Sequence, residues 1–154
     1  MTPDFEKYPQ RKNPRLRGYD YSSENYYFVT ICSGDKKCIF GRTDKLNQYG
    51  EWASQGMEEI SQHYPDVSVD KFVVMPNHVH AIIYIKDKKA NLSRVIGSYK
   101  SYVAKKIHEI EPGKAVWQAS FHDHIIRNEK SYHNIWQYIE GNPINWEKDC
   151  FYTE

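Results

Sequence analysis

The sequence predicts an α+β fold. It is a ferredoxin-like, split βαβ antiparallel sheet with helices on one face and a further, C-terminal helix, the one that carries Tyr138. Three observations lead there. Apolar alternation and helical apolar spacing succeed one another in the order β-α-β-β-α-β-α. Proline-containing breaks, such as Tyr64-Pro65-Asp66, Pro76-Asn77, Glu111-Pro112-Gly113 and Asn142-Pro143, fall at the joints. The length of 154 residues and the 40% hydrophobic content suit one core.

Each element follows from local chemistry. Residues 1–24 are polar, carry Pro3, Pro9 and Pro14, and read as a basic N-terminal arm ahead of a single domain over 25–154. Asn25–Ser33 is rich in aromatic and β-branched residues, which predicts a strand. Cys38–Gly41 reads as a short added strand or a turn. Leu46 to His63 places Leu46, Tyr49, Trp52, Ala53, Met57 and Ile60 near helical spacing. Val67–Met75 and His78–Lys86 are two strands around the tight turn Pro76-Asn77. Asn91-Leu92-Ser93 opens a helix to about Ile110. Trp117–Ile126 contains the next strand. A last helix starts at Asn128 or Ser131 and ends at Gly141, before Asn142-Pro143.

Composition excludes several classes. Lys+Arg 21 against Asp+Glu 20 gives a net charge of +1, so this is neither a polycation nor an acidic disordered chain. A mean hydropathy of −0.80 without a long apolar run argues against a transmembrane helix. The first residues lack a secretory pattern, so a cytoplasmic location is expected. Three cysteines without a C-x-x-C pair support neither a disulfide framework nor a zinc knuckle. Charge is nonetheless uneven. Gln10–Arg17 holds Arg11, Lys12, Arg15 and Arg17, and Asn91–Ile110 holds Arg94, Lys100, Lys105 and Lys106 against Glu109 alone. Such stretches suit a polyanion, or else a solvated arm and a solvated helix face.

Two groups of residues carry chemistry. On a strand, His78 and His80 point to one face with Cα atoms roughly 6.5–7 Å apart, a spacing at which two imidazoles can share a metal ion. Val79, Ala81, Ile83 and Ile85 then form an apolar row on the opposite face, so the two histidines cannot both belong to that row. On the last helix Tyr138 and Asn142 lie four apart, one above the other. Tyr138 is also one of 13 tyrosines, most of them packing residues, and Asn142 also suits a helix C-cap.

Three long patches, in order, resemble one family. VVMPNHVHAII (Val73–Ile83) resembles the histidine–hydrophobic–histidine (HUH) motif of single-tyrosine DNA transposases. WQASFHDHIIRNEKSYHNIWQYIEGNP (Trp117–Pro143) resembles the C-terminal signature of that group, especially of the REP-associated tyrosine transposases, and RLRGYDYSSENYYFVTIC (Arg15–Cys32) its start. The resemblance implies metal ligands at His78 and His80, a nucleophile at Tyr138, and a third metal ligand at Asn142. It implies a divalent ion, Mg²⁺ or Mn²⁺, with Mn²⁺ the better match to a mixed nitrogen and oxygen site. The implied activity is cleavage and rejoining of single-stranded, hairpin-flanked DNA through a 5′-phosphotyrosine link. Arg11, Lys12, Arg15, Arg17, Arg94, Lys100, Lys105 and Lys106 are then candidates for DNA backbone contacts. Relatives include monomers and homodimers, and either state is compatible with this chain.

No general base stands out, because Glu140 and His133 do not share the Tyr138 helix face. Tyr99 and Tyr102 are expected behind the sheet, and Tyr132 on another face of the last helix. Two other readings remain: a non-catalytic DNA-hairpin-binding protein on the same fold, and a histidine–metal hydrolase acting on nucleic acid by activating water.

Overall fold

The protein is described here by a computed structural model covering residues 25–86, 90–149 and 151–153. The expected arm over 1–24, with Arg11, Lys12, Arg15 and Arg17, lies outside the described residues.

Four strands, β1 (Tyr26–Cys32), β2 (Val67–Met75), β3 (His78–Ile85) and β4 (His122–Ile125), form one sheet in the order β2-β3-β1-β4. Every neighbouring pair is antiparallel. The helices are α1 (Gln48–His63), α2 (Leu92–His108) and α3 (Glu129–Gly141). This is the predicted element order and fold class.

Asparagine sets each helix start. The side chains of Asn47, Asn91 and Asn128 accept the backbone N–H of Gly50, Arg94 and Ser131, satisfying donors that have no partner within the helix. The Asn47 cap starts α1 at Gln48, not at Leu46. Cys38–Gly41 is not a strand, and Gly41 makes only an isolated bridge to Leu46. Trp117 likewise makes only an isolated bridge, to Ser33, and β4 begins at His122. The Trp117 ring packs on Phe40 and Tyr99, and its indole N–H donates to the Lys100 carbonyl, so it leaves the ladder for the helix side.

Strand alternation builds two cores. Val29, Ile31, Val79, Ala81, Ile83 and Ile85 bury against α1 and α2. Tyr26, Phe28 and Ile82 bury on the opposite face with Ile126 and with Tyr132, Ile135, Tyr138 and Ile139 of α3. A bulge in β2 between Val69 and Lys71 leaves Asp70 out of the register, and keeps Phe72 facing the first core. Asp70 then accepts the Tyr132 hydroxyl at 2.7 Å, pinning α3 to the sheet edge.

Candidate active site

The face beneath α3 gathers the residues that the sequence singled out. His78 and His80 are fully buried, with ring centroids 4.5 Å apart. Tyr138, one turn from the end of α3, packs edge-on to His80 at 5.4 Å and to Phe28 at 6.3 Å. Asn142, the α3 C-cap, is buried beside them.

The backs of the imidazoles are held. Asn77 Nδ2 donates to the carbonyls of Phe151 at 2.8 Å and Lys36 at 3.2 Å, which turns Asn77 Oδ1 toward His78 Nδ1 at 2.7 Å. An amide oxygen only accepts, so His78 Nδ1 carries the proton and Nε2 keeps its lone pair. Thr30 Oγ1 lies 2.9 Å from His80 Nδ1 and orients the second ring, its hydroxyl being able to donate or to accept. Burial drives the His78 pKa down to about 4, against the opposing pull of the Asp149 charge and the Asn142 side chain. Burial first, then the His78 neighbour, holds His80 well below its ordinary value. Both rings are therefore neutral at neutral pH, the form that ligates metals.

Three atoms test whether this site suits a metal ion. His78 Nε2, His80 Nε2 and Asn142 Oδ1 are buried polar atoms that no hydrogen bond of ordinary geometry satisfies, and the Asn142 side chain is close enough to His78 to act on its charge. Such atoms are costly to bury unless something else satisfies them. Two imidazole nitrogens and an amide oxygen are a neutral donor set for a divalent ion. The residues fit the group that the resemblance implies.

Asp149 is a residue of this cluster that sequence reasoning did not single out. Its Oδ2 accepts the Tyr138 hydroxyl at 3.1 Å, and its Oδ1 accepts the Phe151 N–H at 2.8 Å. One ligand atom each from His78, His80 and Asp149 lie within 4.8 Å of one another. No periodicity announced it, since it follows the Asn142-Pro143 break in a short segment of mixed aromatic and charged residues. That segment folds back over the site. Trp146 and Phe151 lie 6.0 Å and 4.6 Å from the His78 ring.

The other candidates lie elsewhere. Arg94 and Lys105 line a groove of about 820 Å³ between α1 and α2, with Tyr64, Ser98 and Tyr102. Lys106 sits over the Tyr102 ring at 5.9 Å. Lys100 is half-buried and donates to the Gln118 carbonyl at 2.7 Å, and burial lowers its pKa. These cations belong to the helical layer, across the sheet from the histidines. Tyr99 is buried there too, donating to the Ala53 carbonyl. Tyr132, expected on another face of α3, shares the Tyr138 core, but its hydroxyl ends on Asp70. His133 is paired with Glu129 at 3.3 Å.

A ferredoxin-like sheet that carries a histidine pair, with a C-terminal helix bringing a tyrosine to it, defines a class of α+β domains with the site on the sheet face away from its two crossover helices. The chain belongs to the IS200-like transposase family, whose model matches residues 20–142. An uncharacterised protein of Haemophilus influenzae is 40% identical, with 94% of each chain aligned. A second H. influenzae protein, described as a candidate REP-associated tyrosine transposase, is 24% identical over 81% of this chain and 73% of its own. Among solved structures, a REP-associated tyrosine transposase bound to a REP hairpin superposes with TM-score 0.60 at 21% identity, covering 79% of this chain and 68% of that one. A Deinococcus radiodurans chain described as a candidate transposase gives TM-score 0.55 at 15% identity, covering 75% and 88%. These two share the fold. Among the described residues no helix is long and apolar enough to cross a membrane.

Proposed function

We propose that this transposase cuts and rejoins single-stranded, hairpin-flanked DNA through a covalent link to Tyr138. The observation that carries the reading is the convergence, in one buried cluster, of Tyr138 with His78, His80 and Asn142, whose Nε2 and Oδ1 atoms no hydrogen bond of ordinary geometry satisfies. A structural neighbour holding a REP hairpin supports a hairpin as the substrate class.

His78, His80 and Asn142 would hold a divalent ion, Mn²⁺ or Mg²⁺. When bound, that ion supplies charge neutralisation for a phosphate and lowers the cost of ionising a nearby phenol. The chain's own residues do the rest. Asn77 and Thr30 orient the two imidazoles, as carboxylates and carbonyls do behind metal-bound histidines elsewhere. Helix α3 carries Tyr138 on the face that meets the histidines, so nucleophile and phosphate approach in a fixed geometry. The Tyr138 oxygen attacks phosphorus, the 3′-oxygen leaves as a hydroxyl, and the 5′-phosphate remains on the tyrosine. A 3′-hydroxyl later reverses the exchange and rejoins DNA, so no external energy source is needed. The basic arm with Arg11, Lys12, Arg15 and Arg17 contacts backbone phosphates, as do Arg94, Lys105 and Lys106 on α2. We assign Lys100 to the Gln118 carbonyl instead.

The test is a labelled hairpin oligonucleotide incubated with Mn²⁺ and run on a denaturing gel. Wild type should give a covalent protein–DNA band and Tyr138→Phe none. Cleavage that persists without a band in Tyr138→Phe favours the metal hydrolase. Binding without cleavage by wild type favours the hairpin-binding protein.

A further inference from the structure

We propose that Asp149 is a catalytic residue of this reaction: it aims the Tyr138 hydroxyl and takes its proton as the tyrosine–phosphorus bond forms. The inference rests on the tyrosine reading above and supplies the proton acceptor that the sequence did not reveal.

Geometry carries it. The Tyr138 hydroxyl donates to Asp149 Oδ2 at 3.1 Å, within the distance a general base needs. The carboxylate is itself held, because Oδ1 accepts the Phe151 N–H at 2.8 Å and leaves Oδ2 for the phenol. The segment that carries it is anchored on the same side of the molecule. The Phe151 carbonyl accepts from Asn77, the residue that also orients His78, and the Phe151 ring packs on His78. Nearby alternatives are committed elsewhere. The Nε2 atoms of His78 and His80 face the proposed ion site, and His133 is paired with Glu129. This is the arrangement of nucleophile, base and orienting group that marks activated nucleophiles in general.

The step balances. The Tyr138 oxygen bonds to phosphorus and the bond from phosphorus to the 3′-oxygen breaks, its electron pair leaving with that oxygen. The phenol proton passes to Asp149 Oδ2 and from there to the 3′-oxygen, so one proton moves in net from tyrosine to the new hydroxyl. Rejoining runs the same transfer backwards, with Asp149 returning the proton to Tyr138.

The experiment compares wild type, Asp149→Asn and Asp149→Ala in the full chain. It measures the single-turnover rate of covalent-adduct formation on a hairpin oligonucleotide, the affinity for that oligonucleotide, and Mn²⁺ binding by electron paramagnetic resonance. Asparagine can still accept the tyrosine hydrogen bond but cannot take the proton. Both variants should form adduct about a hundredfold or more slowly, with Mn²⁺ and oligonucleotide binding within about twofold of wild type. Wild-type rates in Asp149→Asn would overturn proton acceptance. Faster adduct formation in either variant would overturn it too, and would mark the carboxylate as an obstacle in the phosphate's place. A large loss of Mn²⁺ binding in Asp149→Asn would overturn it by making Asp149 a metal ligand. A wild type that forms no adduct sinks the tyrosine reading itself and this inference with it, whereas adduct formation unaffected by Asp149 sinks only the inference.

Discussion

Asn77 uses its whole amide. Two N–H donations, to Phe151 and Lys36, fix its orientation, and the remaining oxygen fixes His78. From the sequence it reads only as half of a turn, because a side-chain amide has no periodic signature. Thr30 does the corresponding work for His80 from the neighbouring strand, since it lies directly across from it in the β1–β3 register. Groups behind metal-ligating histidines are worth 10–100-fold in metal affinity. Thr30→Ala should therefore weaken Mn²⁺ binding by about that factor while leaving the fold intact, measured by titration calorimetry beside circular dichroism. An unchanged affinity would mean that the His80 ring is held by packing alone. The strand period put the histidine pair on one sheet face, whereas Tyr138 stood out from the other tyrosines only through the family resemblance combined with its helix spacing to Asn142. Asn77, Thr30 and Asp149 were not legible in the sequence, because their roles depend on what the chain brings beside them.

Helix α3 shows the same division one level up. Its start was narrowed to Asn128 or Ser131, of which the structure takes Asn128 as the N-cap, and its end before Asn142-Pro143 and its apolar residues were readable from spacing. Its seat was not, because that depends on the β2 bulge that turns Asp70 toward Tyr132. The β4 strand was expected within Trp117–Ile126, but not its late start at His122, because Trp117 reads as a strand residue until its ring is claimed by Phe40 and Tyr99. Two substitutions weigh these anchors. Asn128→Ala removes the N-cap of α3 and should cost about 1 kcal/mol of stability. Tyr132→Phe removes a hydrogen bond to a carboxylate and should cost about 1.5–3 kcal/mol. Urea denaturation measures both. The informative result is the order: if the cap matters more than the tyrosine, α3 is held by its own helix chemistry and not by the sheet.

On the scale of the whole molecule, the sheet separates two kinds of site. Tyr138, His78, His80 and Asn142 lie on one face with α3, while Arg94, Lys105 and Lys106 lie on the helical layer across it. The sequence already set the histidines on the sheet face away from the helices; what it did not show is that Arg94 and Lys105 line a groove between α1 and α2. Under the proposed function, DNA in the α1–α2 groove would be a different stretch from the one at Tyr138, and the two roles should separate by mutation. Each phosphate contact contributes roughly 0.7–0.9 to the slope of log affinity against log salt. The double variant Arg94→Ala with Lys105→Ala should lower that slope by about 1.5, and weaken hairpin binding at low salt. Once the oligonucleotide is saturating, single-turnover cleavage should proceed at the wild-type rate, because nothing at Tyr138 has changed. Fluorescence anisotropy across a salt series measures the first quantity and quenched-gel kinetics the second. A double variant that binds normally would remove the groove from the DNA path. One that binds but cleaves slowly would mean that groove and tyrosine act on a single continuous stretch of DNA wrapped around the sheet edge.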